Sequence, residues 1–133
     1  MATLTGKLTL TGTATDFGQA LALNVSKDLT IEKPWVGISR ELVTTTGANH
    51  VILASLDARR FLYVKHTGVD SAGAATTKDL YIESPADTRI SVLKTGEWCF
   101  MPIDDNDGVT ALQLEAQSGD IIAEWAYFTV ASA

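Results

Sequence analysis

A single cysteine, Cys99, is all the thiol in this chain of 133 residues, which excludes an intrachain disulfide and a cysteine-built zinc site. Histidine is nearly as scarce, limited to His50 and His66. With no Cys-x-x-Cys or His-Glu-x-x-His spacing, neither a metal nor another cofactor is expected. Basic residues are also short: ten Lys and Arg face sixteen Asp and Glu, a formal net charge of -6. The basic surface that would neutralise nucleic-acid phosphates or anionic lipid is missing, so neither is an expected partner. No apolar run nears the ~20 residues of a membrane-spanning helix, and the segment from Met1 to Thr15 is threonine-rich rather than basic and then apolar. The expectation is a soluble chain without a secretion signal.

What the chain has is apolar material in alternation. At 46% hydrophobic and 20% charged residues it can build a core, and its length fits one domain over 1–133. From Thr3 to Thr15, Leu4, Gly6, Leu8, Leu10 and Gly12 share one face, and the threonines and Lys7 share the other. That period of two predicts a strand with one wet face. Leu21, Leu23, Val25, Leu29 and Ile31 continue the pattern after a turn at Asp16-Phe17-Gly18, with a bulge or a strand end expected near Ser26 and Lys27. Pro34 cannot donate to a ladder, so Lys33-Pro34-Trp35 is expected to be an edge or a connection, with a second layer of strands starting beyond it.

Further strands are predicted over Val51–Ala54, Phe61–His66, Leu80–Glu83, Arg89–Leu93, Glu97–Pro102, Val109–Ala116 and Ile121–Val130, at about ten-residue spacing. The stretch from Thr67 to Lys78, rich in Ala, Thr and Gly, reads as a mobile loop. About nine or ten short strands and no extended helical period predict an all-β, antiparallel β-sandwich, jelly-roll-like or Ig-like. Residues 1–15 would form an extended N-terminal arm or an edge strand.

Candidate chemistry is sparse. Asp104-Asp105-Asn106-Asp107-Gly108 resembles a calcium loop in composition, but aligning Gly108 with the loop glycine puts Ile103 and Leu114 at ligand positions, so a tight turn is the better reading. No Gly-x-Ser-x-Gly elbow exists, and Cys99 between Trp98 and Phe100 reads as a buried small hydrophobe. Glu83, Glu97, Glu115 and His66 could supply an acid and a base only by converging in space. Glu124, interrupting an apolar strand face, is expected to form an ion pair with Arg60 or Arg89. Trp35, Trp98 and Trp125 could stack sugars, although aromatics at alternate strand positions more often fill a core. No catalytic residue is assigned and no enzyme is expected.

Three strings carry a resemblance: Phe61-Leu62-Tyr63-Val64-Lys65-His66-Thr67-Gly68, Thr95-Gly96-Glu97-Trp98-Cys99-Phe100-Met101-Pro102, and Ala111 to Gly119 leading into Ala123-Glu124-Trp125-Ala126-Tyr127. Over roughly residues 50 to 130 the chain resembles small virion structural proteins of tailed bacteriophages, in which a Tyr-Val-Lys-Asn-Thr-Gly strand precedes a Pro-Gly-Glu turn. His66 replaces the usual asparagine here, and Lys94-Thr95-Gly96 replaces the proline-glycine. Capsid decoration or cement proteins fit the size best, with tail, neck, baseplate or fibre-attachment proteins and a receptor-binding or carbohydrate-binding module as alternatives. The resemblance implies non-catalytic binding to the major capsid protein or another virion protein, a homo-oligomer, and location in a virion assembled in the host cytoplasm. Segments 3–15 and 121–130 are the expected contacts, through Leu4, Leu8, Leu10, Ile121, Trp125 and Tyr127.

Overall fold

The computed structural model describes residues 1–13, 20–45, 50–53, 59–84, 88–104 and 112–131. The turn at 16–18, residues 105–108 of the acidic turn and the beginning of the strand predicted from Val109 lie outside the described residues.

Among the described residues nine strands form and no helix occurs. They are β1 (Ala2–Gly12), β2 (Leu21–Thr44), β3 (His50–Leu53), β4 (Arg59–His66), β5 (Leu80–Glu83), β6 (Arg89–Leu93), β7 (Trp98–Asp104), β8 (Leu112–Ala116) and β9 (Asp120–Val130). One sheet has the order β1-β2-β9-β4-β7 and the other β3-β8-β5-β6. All the pairings are antiparallel.

Nested pairs define the topology: β2 with β9, β3 with β8, β4 with β7, and β5 with β6. A long antiparallel ribbon rolled up in this way is a jelly roll, the double-sheet solution that protects strand edges. β1 is added outside it as the edge strand beside β2.

The core lies between the two sheets. Even positions of β4 (Leu62, Val64) and odd positions of β9 (Ile121, Ala123) meet Leu80, Ile82 and Leu114 of the smaller sheet, all fully buried. Strict alternation in β4, with Arg60, Leu62, Val64 and His66 buried, Arg59 exposed and Phe61, Tyr63 and Lys65 half-buried, is the period-two pattern realised.

Two expectations about β2 change. Its ladder with β1 runs unbroken from Ala2 opposite Ile31 to Gly12 opposite Leu21, so neither a bulge nor a strand end falls at Ser26-Lys27. The strand also does not end at Pro34: register shifts between Glu32 and Trp35, and again between Val36 and Ser39, carry it on to Thr44 against β9. A bulge leaves residues outside the ladder, so the proline's missing N–H breaks no paired hydrogen bond there.

The stretch 67–78, expected to be mobile, is tied down at both ends. Asp70 Oδ1 accepts from the N–H groups of Ala72 and Ala74, both at 2.9 Å, Val69 bridges Ala75, and Thr67 Oγ1 donates to the Ile122 carbonyl at 2.5 Å. Gly68 and Gly73 hold φ of 86° and 77°, where a Cβ would be strained. Small residues here serve a tight hydrogen-bonded turn rather than a loose one.

Ser71 donates from Oγ to Asp120 Oδ2 at 2.5 Å and from its N–H to Oδ1 at 3.3 Å. Chiefly the hydroxyl, then the N–H, holds the Asp120 carboxyl below its ordinary value. A carboxylate depressed in the folded state contributes stability that is complete above its unfolded range and is lost as pH falls through the lower folded value. Ser71→Ala is therefore expected to move the Asp120 titration upward in a carboxyl-carbon NMR experiment. An unmoved titration would contradict this contact.

Candidate interaction face

The five-stranded sheet has a second face, turned away from the core. Cross-strand partners share a face, so Phe61 of β4 lies with Pro102 of β7 and Phe128 of β9, and Tyr63 lies with Phe100 and Ala126. An antiparallel sheet ordinarily presents polar residues on its outward side. Here it presents aromatics, with Phe61 and Phe100 stacked at 5.2 Å and 23°.

The β1–β2 hairpin lies over this face. Its register puts Leu4, Gly6, Leu8 and Leu10 on the same side as Leu29, Lys27, Val25 and Leu23, with threonines, Asn24, Ser26 and Asp28 opposite. A Cβ built on Gly6 would stand 3.7 Å from Phe100 Cε1, ordinary contact distance, so the apolar side of the hairpin looks onto the aromatics. Between them runs an open groove of about 510 Å³, walled by Leu4, Leu8, Leu29, Phe61, Phe100 and Phe128 among others. In an acidic chain, this lining holds no carboxylate and includes Lys7 and Lys27.

Beside the groove, Arg40 of β2 donates from Nε at 2.9 Å and from Nη2 at 2.8 Å to Glu124 Oε2, and the Tyr63 hydroxyl donates to Oε1 at 3.4 Å. Burial, reinforced by the Glu124 charge, pushes the Tyr63 phenol up. Glu124 does pair with an arginine, but with Arg40, which β2 delivers by running past Pro34 to lie opposite it. Arg60 packs instead over the Tyr127 ring at 5.1 Å and Arg89 over Tyr81 at 3.8 Å.

The six expected contact residues divide. Leu4, half-buried, and exposed Leu8 line the groove, and exposed Leu10 lies further out on the hairpin. Ile121 and Trp125 are buried in the chain's own core and Tyr127 packs against it, stacked with Trp125 at 6.3 Å. The structure moves these three from partner contacts to the core side of β9, Ile121 and Trp125 buried and Tyr127 half-buried. Both faces of β9 are apolar, and the odd one turns toward the smaller sheet, leaving Ala126 and Phe128 on the groove side. On the hairpin and the outer face of β2, the exposed aliphatic groups that alternation did not single out as contacts are Leu21, Leu23, Val25, Ile38 and Leu42. The same alternation that marked Leu8 and Leu10 could have marked the first three.

Of the residues weighed for acid-base work, His66, Glu83 and Glu97 are placed in separate structural roles, and Glu115 lies half-buried on β8 opposite Tyr81. Buried His66 accepts at Nδ1 from the Gly68 N–H at 2.9 Å, which makes Nε2 the protonated nitrogen that donates to the Lys78 carbonyl at 2.8 Å. Buried Glu83 accepts from Gln113 Nε2 at 3.2 Å, and Glu97 Oε2 accepts from the Lys94 N–H at 2.8 Å. Among the described residues, no three His, Cys, Asp or Glu side chains are grouped to hold a metal ion.

Of the tryptophans, Trp125 donates its indole N–H to Glu41 at 3.2 Å, whereas Trp35 and Trp98 are 54% and 56% exposed. Cys99 lies opposite Val64 on the core side of β7, and burial pushes its thiol up. At about pH 8.5, where an ordinary thiol is half ionised, alkylation of folded protein is expected to be slower than that of urea-unfolded protein. Equal rates would contradict the burial.

No family model, curated protein or solved structure matches the chain.

Proposed function

We propose that this chain is a non-enzymatic virion structural protein, a capsid decoration or cement protein that stabilises the assembled shell by binding the major capsid protein. The observation that carries the reading is the apolar outer face and its projecting hairpin, a surface larger in apolar content than water-facing sheets ordinarily leave open. A protein that binds only the assembled lattice shifts mass action away from disassembly. Jelly rolls serve in viral capsid domains and in lectins, which supports the reading by analogy of fold. The phage-like strand and turn strings add to it. The structural bonds held by His66, Glu83 and Glu97 favour a binding role over turnover.

The test is quantitative mass spectrometry of purified virions from a lysate in which the chain is made. Copy number at parity with the major shell protein, or at a simple fraction of it, is the expected result. A few copies per particle would move the chain to the neck, baseplate or fibre. Absence would overturn the reading and favour the glycan-binding alternative, for which exposed Trp35 and Trp98 are the available stacking rings and a glycan-induced fluorescence change is the readout.

A further inference from the structure

We infer that the apolar face of the β1–β2 hairpin of one copy docks on the outer sheet face of a second copy of this chain. The inference stands on the geometry of the two patches and does not rest on the capsid reading.

The hairpin is only partly used within its own chain. At its root, Leu4, Gly6 and Leu29 line the groove over the aromatic face, and Leu29 is buried. Further out, Leu10, Leu21 and Leu23 line no groove, and with Leu8 and Val25 they leave an exposed apolar ridge. Yet the ladder stays in register out to Gly12 opposite Leu21. A two-stranded ribbon is marginal in water by itself, so this outer half is stabilised when its apolar side is covered.

The second patch is the part of the outer sheet face that the hairpin root does not cover. Trp35 shares that face with Phe128, Ile38 lines the groove and is 70% exposed, and Leu42 and Trp98 extend it. Every copy thus carries both a ridge and an apolar platform.

Three features favour a second copy as the occupant. In a two-fold exchange each copy contributes both patches, nine side chains that are each 39% to 70% exposed, together on the order of the ~800 Å² per partner that a stable interface buries. Both patches are supplied in equal number by every copy, so a contact between them saturates both when the assembly closes. Two chains of net charge -6 repel in general, but the one charged residue on the ridge side of the hairpin is Lys27, and the Glu124 carboxylate on the platform face is already paired with Arg40, so this approach brings no acidic pairs together there.

The contact joins two different patches, so it closes as a two-fold exchange of hairpins or as a small ring. Sedimentation equilibrium of the full chain is expected to give a multiple of 14.2 kDa. The double variant Leu10→Asp with Leu23→Asp, on the ridge, should sediment as a monomer with unchanged far-ultraviolet circular dichroism. Ile38→Asp, on the platform, should do the same. Because each variant keeps the patch the other has lost, an equimolar mixture of the two restores one of the two contacts and should associate more than either variant alone and more weakly than wild type.

A wild-type chain that is monomeric at every concentration overturns the inference without recourse to any variant. Variants that keep the wild-type mass overturn it as well, and so do two monomeric variants whose mixture fails to associate. A chain absent from virions that nevertheless self-associates in this pattern leaves the inference standing and removes only the capsid reading.

Discussion

Leu62→Ala is expected to lower the unfolding free energy by about 3 kcal/mol and the melting temperature by roughly 10 °C. Leu62 is fully buried on β4, which pairs with β7 on one side and β9 on the other, so neither neighbour can move in without disturbing a ladder. The loss therefore includes a cavity as well as the transfer energy of the deleted carbons. Ile90→Ala, at an exposed position of β6, serves as the surface control and should cost under about 0.5 kcal/mol. Urea titrations of both variants measure the difference. A Leu62→Ala penalty no larger than the control would contradict the position of the core.

His66→Ala is expected to have a comparable effect, about 2 to 4 kcal/mol, because it opens a cavity and leaves the Gly68 N–H and the Lys78 carbonyl without their partners. The two bonds connect the end of β4 to both ends of the 67–78 stretch. Hydrogen exchange should accelerate at the amides of Gly68 and Thr76, the latter donating to the Gly68 carbonyl. His66→Asn should lose less. An asparagine oxygen can accept from the N–H two residues on, as an Asx turn does, and so replaces the Nδ1 bond while giving up the reach to Lys78. Asparagine is also the residue that the phage-like pattern carries at this place. Equal exchange rates in His66→Ala and wild type would show that the ring is not what holds the loop.

The particular departures from the sequence reading have physical causes. Pro34 was a sound reason to end a strand, since it cannot donate to a ladder. A bulge removes the need to donate, and nothing local announces where a bulge will fall. The 67–78 stretch has neither bulk nor period, the usual marks of a loop. Its order comes from Asp70 capping its own turn and from contacts with Asp120, Ile122 and Thr95, all distant in sequence. The partner of Glu124 followed from the same cause, because Arg40 reaches it only after β2 continues beyond the proline.

The outer apolar face was half legible. Leu4, Leu8 and Leu10 were marked by alternation, which survives intact in the hairpin. Ile121, Trp125 and Tyr127 were marked by the same rule and turned out to face inward. Along β9 both sides are apolar, and a period of two states that the sides differ without stating which one meets the second sheet.

Alternation, turn spacing and composition by themselves determined that this chain is all-β, layered in antiparallel strands, acidic, and without the residues for an intrachain disulfide. Those properties depend on neighbours in sequence, where side-chain direction reverses at every residue. Tertiary structure alone decided the nested pairing that makes the sandwich a jelly roll, the inward turn of Trp125, the structural use of His66 and the aromatic groove beneath the hairpin. Each depends on which distant strand arrives alongside, a choice made by the joint burial of both sheets.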